Sequence, residues 1–472
     1  MPGPLQETAY ERNAPDARVV RESLATTNRG GVFWIEDAGQ DGPALVLTSA
    51  TTADLAIVGG GYLGLWTAVL AKRRNPGQKV ILLEAQRVGW AASGRNGGFC
   101  EAPSPTARRT AAHGGATSTR FSSVSGETTS TNSRRTSATL PSTVSGSEPA
   151  PSGLPSNPHE IPWLGDNHLD QDSVRSRINS PLFLGGSQEP DGCALVHPAR
   201  LANELARVAR HLGVEIYEHS SVTGLSSRST GKVRLETARA VVTADRVALA
   251  TNVFPSLLRR NRLMTVPVYD YVLMTEPPLS ADQLSSIGWN DREGLADMAN
   301  QFHYSRLTAD NRILYGGYDA VYHAGRKIRA TYEDRPHTYE KLASHFFATF
   351  PQLEGLRFSH QWAGAIDTCT QFAAYYGLAR QGRIAYAAGF TGLGVGATRF
   401  AANVLLDKLS GERTERTELE MVRKRPLPFP PEPAAAAGIN LTRWSLNRAD
   451  HQQGQRNAFL RALDAVGLGF DS

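Results

Sequence analysis

Ala53-Asp54-Leu55-Ala56-Ile57-Val58, then Gly59-Gly60-Gly61-Tyr62-Leu63-Gly64, then Leu65-Trp66-Thr67-Ala68-Val69-Leu70-Ala71 reads as a strand, a glycine turn and a helix. A second apolar run, Val80-Ile81-Leu82-Leu83, ends in Glu84, 20 residues after Gly64. Gly59 allows the tight turn out of the strand, Gly61 lets backbone approach a pyrophosphate, and Gly64 lets helix and strand pack closely. The helix start, opening at Tyr62, offers unpaired amides and a partial positive charge to phosphates. Glu84 stands where a carboxylate accepts hydrogen bonds from ribose hydroxyls. A glycine turn alone is weak evidence, but strand, helix, second strand and acid in register point to a dinucleotide.

Ala85-Gln86-Arg87-Val88-Gly89-Trp90-Ala91-Ala92-Ser93-Gly94-Arg95-Asn96-Gly97-Gly98 follows the acid. This stretch resembles the segment that runs under the flavin in the D-amino-acid oxidase, glycine oxidase and sarcosine oxidase superfamily. Its ending, S-G-R-N-G-G, is most similar to gamma-glutamylputrescine oxidase-type proteins. The resemblance implies FAD as cofactor, with Ala85, Ser93, Arg95, Asn96, Gly97 and Gly98 beside it. Arg95 and Asn96 also suit a solvated turn.

Gly382-Arg383-Ile384-Ala385-Tyr386-Ala387-Ala388-Gly389-Phe390-Thr391-Gly392-Leu393-Gly394-Val395-Gly396 again reads as strand, glycine turn and helix, the helix running to about Leu409. It is similar to the closing FAD motif of the superfamily. That likeness puts Gly389, Thr391, Gly392, Leu393, Gly394 and Val395 at the flavin, with backbone donors from Thr391 and from Leu393 through Gly396. A helix start aimed at the flavin N1–C2=O edge would stabilise charge that develops on reduction. By the same resemblance Val222 meets the adenine through its backbone. The strand Val241 to Thr251 likewise brings Thr251 near the FAD phosphates.

Ala199 to Leu212 carries Leu201, Leu205 and Val208 at helical spacing, and Gly213 closes it before the strand Val214 to Tyr217. Residues 265–375 alternate as an antiparallel sheet does, with Thr338 to Phe350 as a helix. In the family such a sheet roofs the substrate. Tyr269, Tyr271, His303, Tyr304, Tyr318 and Trp362 could line an amine pocket there or simply pack the sheet. His197 suits a turn before Pro198 better than catalysis. Cys369 is a distant position for flavin attachment, against the plainer reading of a small buried thiol. No catalytic residue is evident. The Pro-rich tail, with an amphipathic stretch from Asn457 to Val466, reads as a surface strap, a subunit contact or a packed terminal helix.

The expected fold class is an α/β FAD-binding Rossmann-like domain, discontinuous in sequence, plus an α+β substrate domain with a mainly antiparallel sheet. A lead at 1–52 precedes FAD-binding portions at 53–101, 191–258 and 379–412. Substrate portions fall at 158–190 and 259–378, and the tail at 413–472. Hydrophobic content of 40% without an uninterrupted apolar run of membrane-spanning length predicts a chain without membrane partners. The first 30 residues lack the apolar core of a secretory signal, and Cys100, Cys193 and Cys369 fit no zinc or C-x-x-C spacing. Together these predict a cytoplasmic protein without a metal site. The net charge of +5 predicts no nucleic-acid partner, since five arginines against two glutamates in 102–157 supply +3 of it and no basic stripe with interleaved aromatics exists. The oligomeric state is not legible.

Residues 102–157 break the grammar. Ser and Thr make up 23 of 56 positions, with no Lys, Asp, Ile, Met, Tyr, Trp, Gln or Cys. Such composition cannot bury enough apolar surface to offset chain entropy. The genetic code allows Ser104 to Ala111, regrouped by one base, to read L-T-H-G-E-E-N-G. It allows Gly126 to Ser133 to read G-R-D-N-L-D-E-L, and Pro155 to Asn157 to read A-V-E, all in one frame. The expectation is one base lost near Ala102 and one gained near Pro158, against a genuine flexible insert. Sequencing the coding DNA decides between them. The expected activity is oxidation of an amine or amino acid with FAD and dioxygen. The alternatives are an amine dehydrogenase with another acceptor and an inert or frame-damaged flavoprotein fold. A nicotinamide enzyme would leave the S-G-R-N-G-G loop and the closing motif without a role.

Overall fold

The computed structural model describes residues 5–39, 42–101, 152–164, 168–187, 193–227, 231–276, 278–465 and 467–468. Thr51–Val58 forms the centre of the first sheet. Val80–Leu83 lies parallel on one side of it and Val241–Leu249 on the other, with Glu215–Tyr217 outside Val80–Leu83. Parallel strands covered on both faces should be apolar throughout, and Leu55, Ala56, Ile57 and all of Val80–Leu83 are buried. Val241–Leu249 divides its outer edge. Its first half pairs antiparallel with Val233–Thr237, and its second half pairs parallel with Ile384–Ala388. Segments from both ends of the chain thereby share one sheet.

Helix Tyr62–Arg74 follows the glycine turn and is buried from Tyr62 through Lys72. Its apolar circumference is explained by its neighbours: the sheet on one side, helices Pro198–His211 and Gly394–Ser410 on the others. These elements bring the Gly59 turn and the Gly394 helix start to one end of the sheet.

The second sheet runs in the order Asn28–Arg29, Phe358–Thr368, Val266–Thr275, Ile313–Tyr322, His303–Leu307, Leu295–Asp297, Ser152–Leu154. It is antiparallel through the middle and parallel at both edges. Side-chain alternation along Val266–Thr275 sends Tyr271 and Leu273 into the core under helix Pro336–Thr349, with Leu342, Phe346 and Phe347. Val268, Asp270 and Val272 line a cavity on the side of the first sheet.

Several boundaries shift. The first strand begins at Thr51, two residues before the expected start. The 1–52 lead divides between the sheets: Ala9, Tyr10 and Val20 join the core of the second and Asn28–Arg29 forms its edge strand, whereas Leu47 packs on the first. Residues 102–151 lie outside the described residues, and so does most of the serine-rich stretch with its frame-slip reading. Its last part does not follow the expectation of disorder. Ser152–Leu154 pairs with Leu295–Asp297, and Asn157 caps the turn Pro158–Trp163 through Glu160 (Asn157 Nδ2 to Glu160 Oε1 2.9 Å). A sheet edge and a cap supply from afar the partners that local composition lacks.

Candidate active site

One cavity of about 1070 Å³ runs between the two sheets, at the upper end of the range for small-molecule sites. Gly59, Gly61, Tyr62, Glu84, Ala85, Ser93, Arg95, Asn96, Gly97, Gly98, Val222 and Thr251 line it from the first half of the chain. Thr391, Gly392, Leu393, Gly394 and Val395 line it from the far end. Two of the residues expected at the cofactor do not reach it. Gly64 is inside the helix–strand contact, where a Cβ would fall 1.9 Å from the Gly59 carbonyl oxygen. Gly389 turns with φ +77° and donates its amide to Asp367 Oδ2 at 2.6 Å.

Both helix starts at the cavity suit an anion or a polarised carbonyl. The N-cap residues Gly61 and Leu393 supply no side-chain acceptor to the first turn; the Tyr62 amide is taken by Ser93 Oγ, leaving the other first-turn amides and the dipole for a ligand. Gly59 leaves its strand at φ +111°, a backbone favoured only for glycine. Glu84 is buried. Its Oε2 accepts from the Gly60 amide at 2.6 Å, and its Oε1 from the Gln86 amide at 2.8 Å and Trp90 Nε1 at 3.0 Å. A carboxylate oxygen has two acceptor sites, so Oε2 keeps one for a sugar hydroxyl. Burial raises the Glu84 carboxyl, and the same hydrogen bonds oppose the rise. This donor and acceptor set fits FAD: the Gly61 helix start and Glu84 would hold its nucleotide half, and the Gly394 helix start its ring end.

A family model described as "DAO: FAD dependent oxidoreductase" matches residues 54–407, three quarters of the chain. The chain belongs to this family of FAD-dependent oxidoreductases. It is 28% identical over 415 residues to gamma-glutamylputrescine oxidoreductase of Escherichia coli, covering 82% of this chain and 90% of that protein. The fold is like that of glycine oxidase from Geobacillus kaustophilus, with a TM-score of 0.61 at 20% identity, covering 77% of this chain and 96% of that one. L-amino acid deaminase from Proteus vulgaris gives a TM-score of 0.60 at 16% identity, covering 80% and 97%.

In this FAD-dependent oxidoreductase several expected contacts take a structural form. Arg95 is not a solvated turn residue. It ties the loop to the second sheet, with Nη1 donating to Ala363 O at 3.2 Å and lying 2.6 Å from Glu333 Oε2, while Nε donates to Trp90 O at 2.9 Å. Asn96 shapes the loop from within, donating to Ala92 and Ser93 carbonyls and accepting from the Gly98 amide at 2.8 Å. Ser93 Oγ accepts the Tyr62 amide at 3.0 Å, joining loop to helix start. The closing turn differs from expectation in its donors. The Thr391 amide is bonded to Asp367 O at 3.3 Å and the Leu393 amide to Phe390 O at 3.0 Å. The turn closes on itself, leaving Gly392 and the helix opening Gly394–Gly396 as the donors.

Of the expected pocket aromatics, Tyr269, Tyr304 and Tyr318 line the cavity. Tyr271 donates to Tyr332 O, Trp362 to Arg95 O, and His303 is held between Asp297 and His345 in the core. His197 is an N-cap, its Nδ1 accepting the Arg200 amide at 3.2 Å; burial pulls its pKa to about 4. Cys369 is a buried thiol outside the cavity lining, raised by burial. No group of three or more metal-ligating side chains occurs among the described residues. No helix there is long and apolar enough to cross a membrane.

Sequence reasoning passed over three contributors to the cavity. The tail supplies a wall from Leu427 to Pro430 and from helix Ala434–Asp450, including Thr442 and Arg443. The tail, expected as a surface strap, a subunit contact or a packed terminal helix, thus packs along the cavity, and the spacing of its apolar residues gave no hint of what they face. Asp270 and Asp367 are the others. A lone carboxylate inside the alternating run Tyr269-Asp270-Tyr271 was the available signal, because a charge in a strand needs a reason.

Asp367 holds the closing turn through Gly389, and burial pushes its carboxyl up to about 7 against hydrogen bonds from Gly389, Phe390 and Asn252. The native protein therefore binds this proton more tightly than the unfolded chain, whose carboxyl has its ordinary value of 3.8. The resulting stability is fully present below about pH 4 and is lost as pH rises through about 7. Asp367→Asn removes the titration while keeping an acceptor. Melting curves of the apoprotein across that window should show wild type falling relative to the variant; parallel curves would count against the assignment.

Proposed function

We propose that this oxidoreductase oxidises the C–N bond of an amine or amino acid, with dioxygen as the electron acceptor. The single observation that carries the reading is one cavity joining the Gly59–Gly61 turn, the Gly394 helix start and the aromatic face of the antiparallel sheet. A relative of 28% identity over most of both chains is named for an amine, gamma-glutamylputrescine. Held by the Gly59–Gly61 turn, Glu84 and the Gly394 helix start, FAD would supply the two-electron acceptor for hydride from the carbon bearing nitrogen, with dioxygen as the final acceptor and hydrogen peroxide as its product. The imine released is hydrolysed by water.

The chain's own residues do the rest. The glycine turn and Glu84 fix the nucleotide, and the Gly394–Gly396 amides favour negative charge at the ring end. Tyr269, Tyr304 and Tyr318, with the wall of the tail, position the reacting carbon in a site shielded from bulk water. Three buried cysteines, none at zinc or C-x-x-C spacing, are in keeping with a cytoplasmic home.

An amine and amino-acid panel, scored by anaerobic bleaching of the flavin band, tests the reaction. At least one member should bleach it, and air should restore the colour with one peroxide per substrate. Bleaching without reoxidation by air would make the protein a dehydrogenase. No bleaching by any member would overturn the reading.

A further inference from the structure

Asp270 is a carboxylate that faces the cavity, with no cation bonded to it among the described residues. It sits mid-strand in Val266–Thr275, where the register against Ile313–Tyr322 jumps: Tyr269 pairs with Val321, Tyr271 with Gly317. Three residues, Tyr318 to Ala320, bulge opposite this one, and Tyr318 is held at φ +63°, an uncommon backbone for a tyrosine. Bulges of this kind re-aim side chains and gather at active sites. On its other side Asp270 pairs with Gly364, which offers no side chain to cover it.

Its one side-chain hydrogen bond is from Tyr304 Oη, at 2.5 Å. The ring of Tyr304 rests against Gly97, where a Cβ would meet Cε2 at 2.7 Å, so the pair stands beside the loop that the flavin reading places under the ring system. The charged and titratable groups near Asp270 are otherwise occupied. Arg95 gives its guanidinium to Glu333. Tyr318 and Tyr339 are both raised by burial and stay neutral. Burial lifts Asp270 itself to about 6, opposed by Tyr304 and by the Tyr271 and Gly317 amides. A half-buried carboxylate that is ionised near neutrality and has no counter-cation among the described residues is a receptor for a cation.

We propose that Asp270, hydrogen-bonded by Tyr304, binds the ammonium form of the substrate amine and accepts its nitrogen proton before the C–H bond breaks. The N–H bond breaks, the proton goes to a carboxylate oxygen of Asp270, and the electron pair remains on nitrogen. As hydride leaves the neighbouring carbon for FAD, that pair becomes the C=N bond. The inference rests on the amine-oxidation reading and adds the acid–base group to it.

The test uses the FAD-loaded full-length protein with n-butylammonium and its neutral counterpart 1-butanol, binding being read from perturbation of the flavin spectrum. At about pH 8, where an alkylamine is still protonated, wild type should prefer n-butylammonium by about tenfold or more. The preference should vanish as pH falls through the Asp270 titration. Asp270→Asn should bind both probes alike, and with an amine that bleaches the flavin its kcat/KM should drop about 100-fold or more. Tyr304→Phe should keep the preference but move its midpoint to higher pH, because the lost hydrogen bond had favoured the charged carboxylate. That shift decides the matter should Asp270→Asn fail to fold. An undiminished preference in Asp270→Asn, no preference in wild type, or an unmoved midpoint in Tyr304→Phe would overturn the assignment. Failure of every amine to bleach the wild-type flavin would instead sink the oxidation reading, and the binding comparison would still judge Asp270.

Discussion

Gly64→Ala should give a protein that neither retains FAD through gel filtration nor matches the wild-type melting temperature. The added methyl would lie 1.9 Å from the Gly59 carbonyl oxygen and 3.3 Å from Ile57 Cγ2. The oxygen belongs to backbone that cannot drift, since the Gly59 amide is bonded to Leu83 O at 2.8 Å across the central strands. Relief requires the helix Tyr62–Arg74 to lift off the sheet, and with it the amides that face the pyrophosphate. Overpacking of this severity costs about 3 kcal/mol or more. Gly77→Ala is the control: its nearest neighbour is Asn75 Oδ1 at 3.6 Å, in a surface turn. Denaturant titration of the two variants should separate them clearly. Equal stability and equal yellow colour would refute the close-packing role of Gly64.

Glu84→Ala should leave the fold largely intact and weaken FAD binding about 100-fold, as measured by calorimetric titration of the apoprotein. The change removes the acceptor for a sugar hydroxyl and strands the Gly60 amide, the Gln86 amide and Trp90 Nε1. A hydrogen bond to a charged group contributes about 1.5–3 kcal/mol, and 1.4 kcal/mol is about tenfold in affinity. Glu84→Gln keeps an acceptor oxygen without the charge and should lose about tenfold. Affinities for FAD that do not change in either variant would show that the carboxylate faces no ligand.

The parts of this site that sequence made legible are those where backbone geometry restricts residue choice. A strand that turns at φ +111° and meets a helix at Gly64 requires glycine at both points, and the requirement is written locally. The closing strand–turn–helix is legible for the same reason, as is the alternation that builds the substrate sheet. Partnerships across long stretches of chain were not legible. Arg95, at the end of a short helix, finds Glu333 in a turn, and Asp270 finds Tyr304 on another strand, only because distant segments meet in space. The amides of Thr391 and Leu393 looked available in the motif but are consumed by Asp367 and Phe390 carbonyls. The tail wall escaped notice because the sequence reading places no helix at Ala434–Asp450, and the amphipathic stretch Asn457 to Val466 declares that it packs, not what it packs on. Composition misled at 152–157, where sheet pairing and a capping carboxylate order residues whose own propensities are poor.

The most direct measurement of the central claim is the position of the flavin in a crystal structure of the FAD-loaded protein. The account predicts pyrophosphate at the amides that follow Gly59–Gly61, ribose on Glu84, and the ring system between the Gly394 helix start and the Asp270–Tyr304 pair. Flavin density anywhere else, or a protein that takes up no FAD at all, would contradict it.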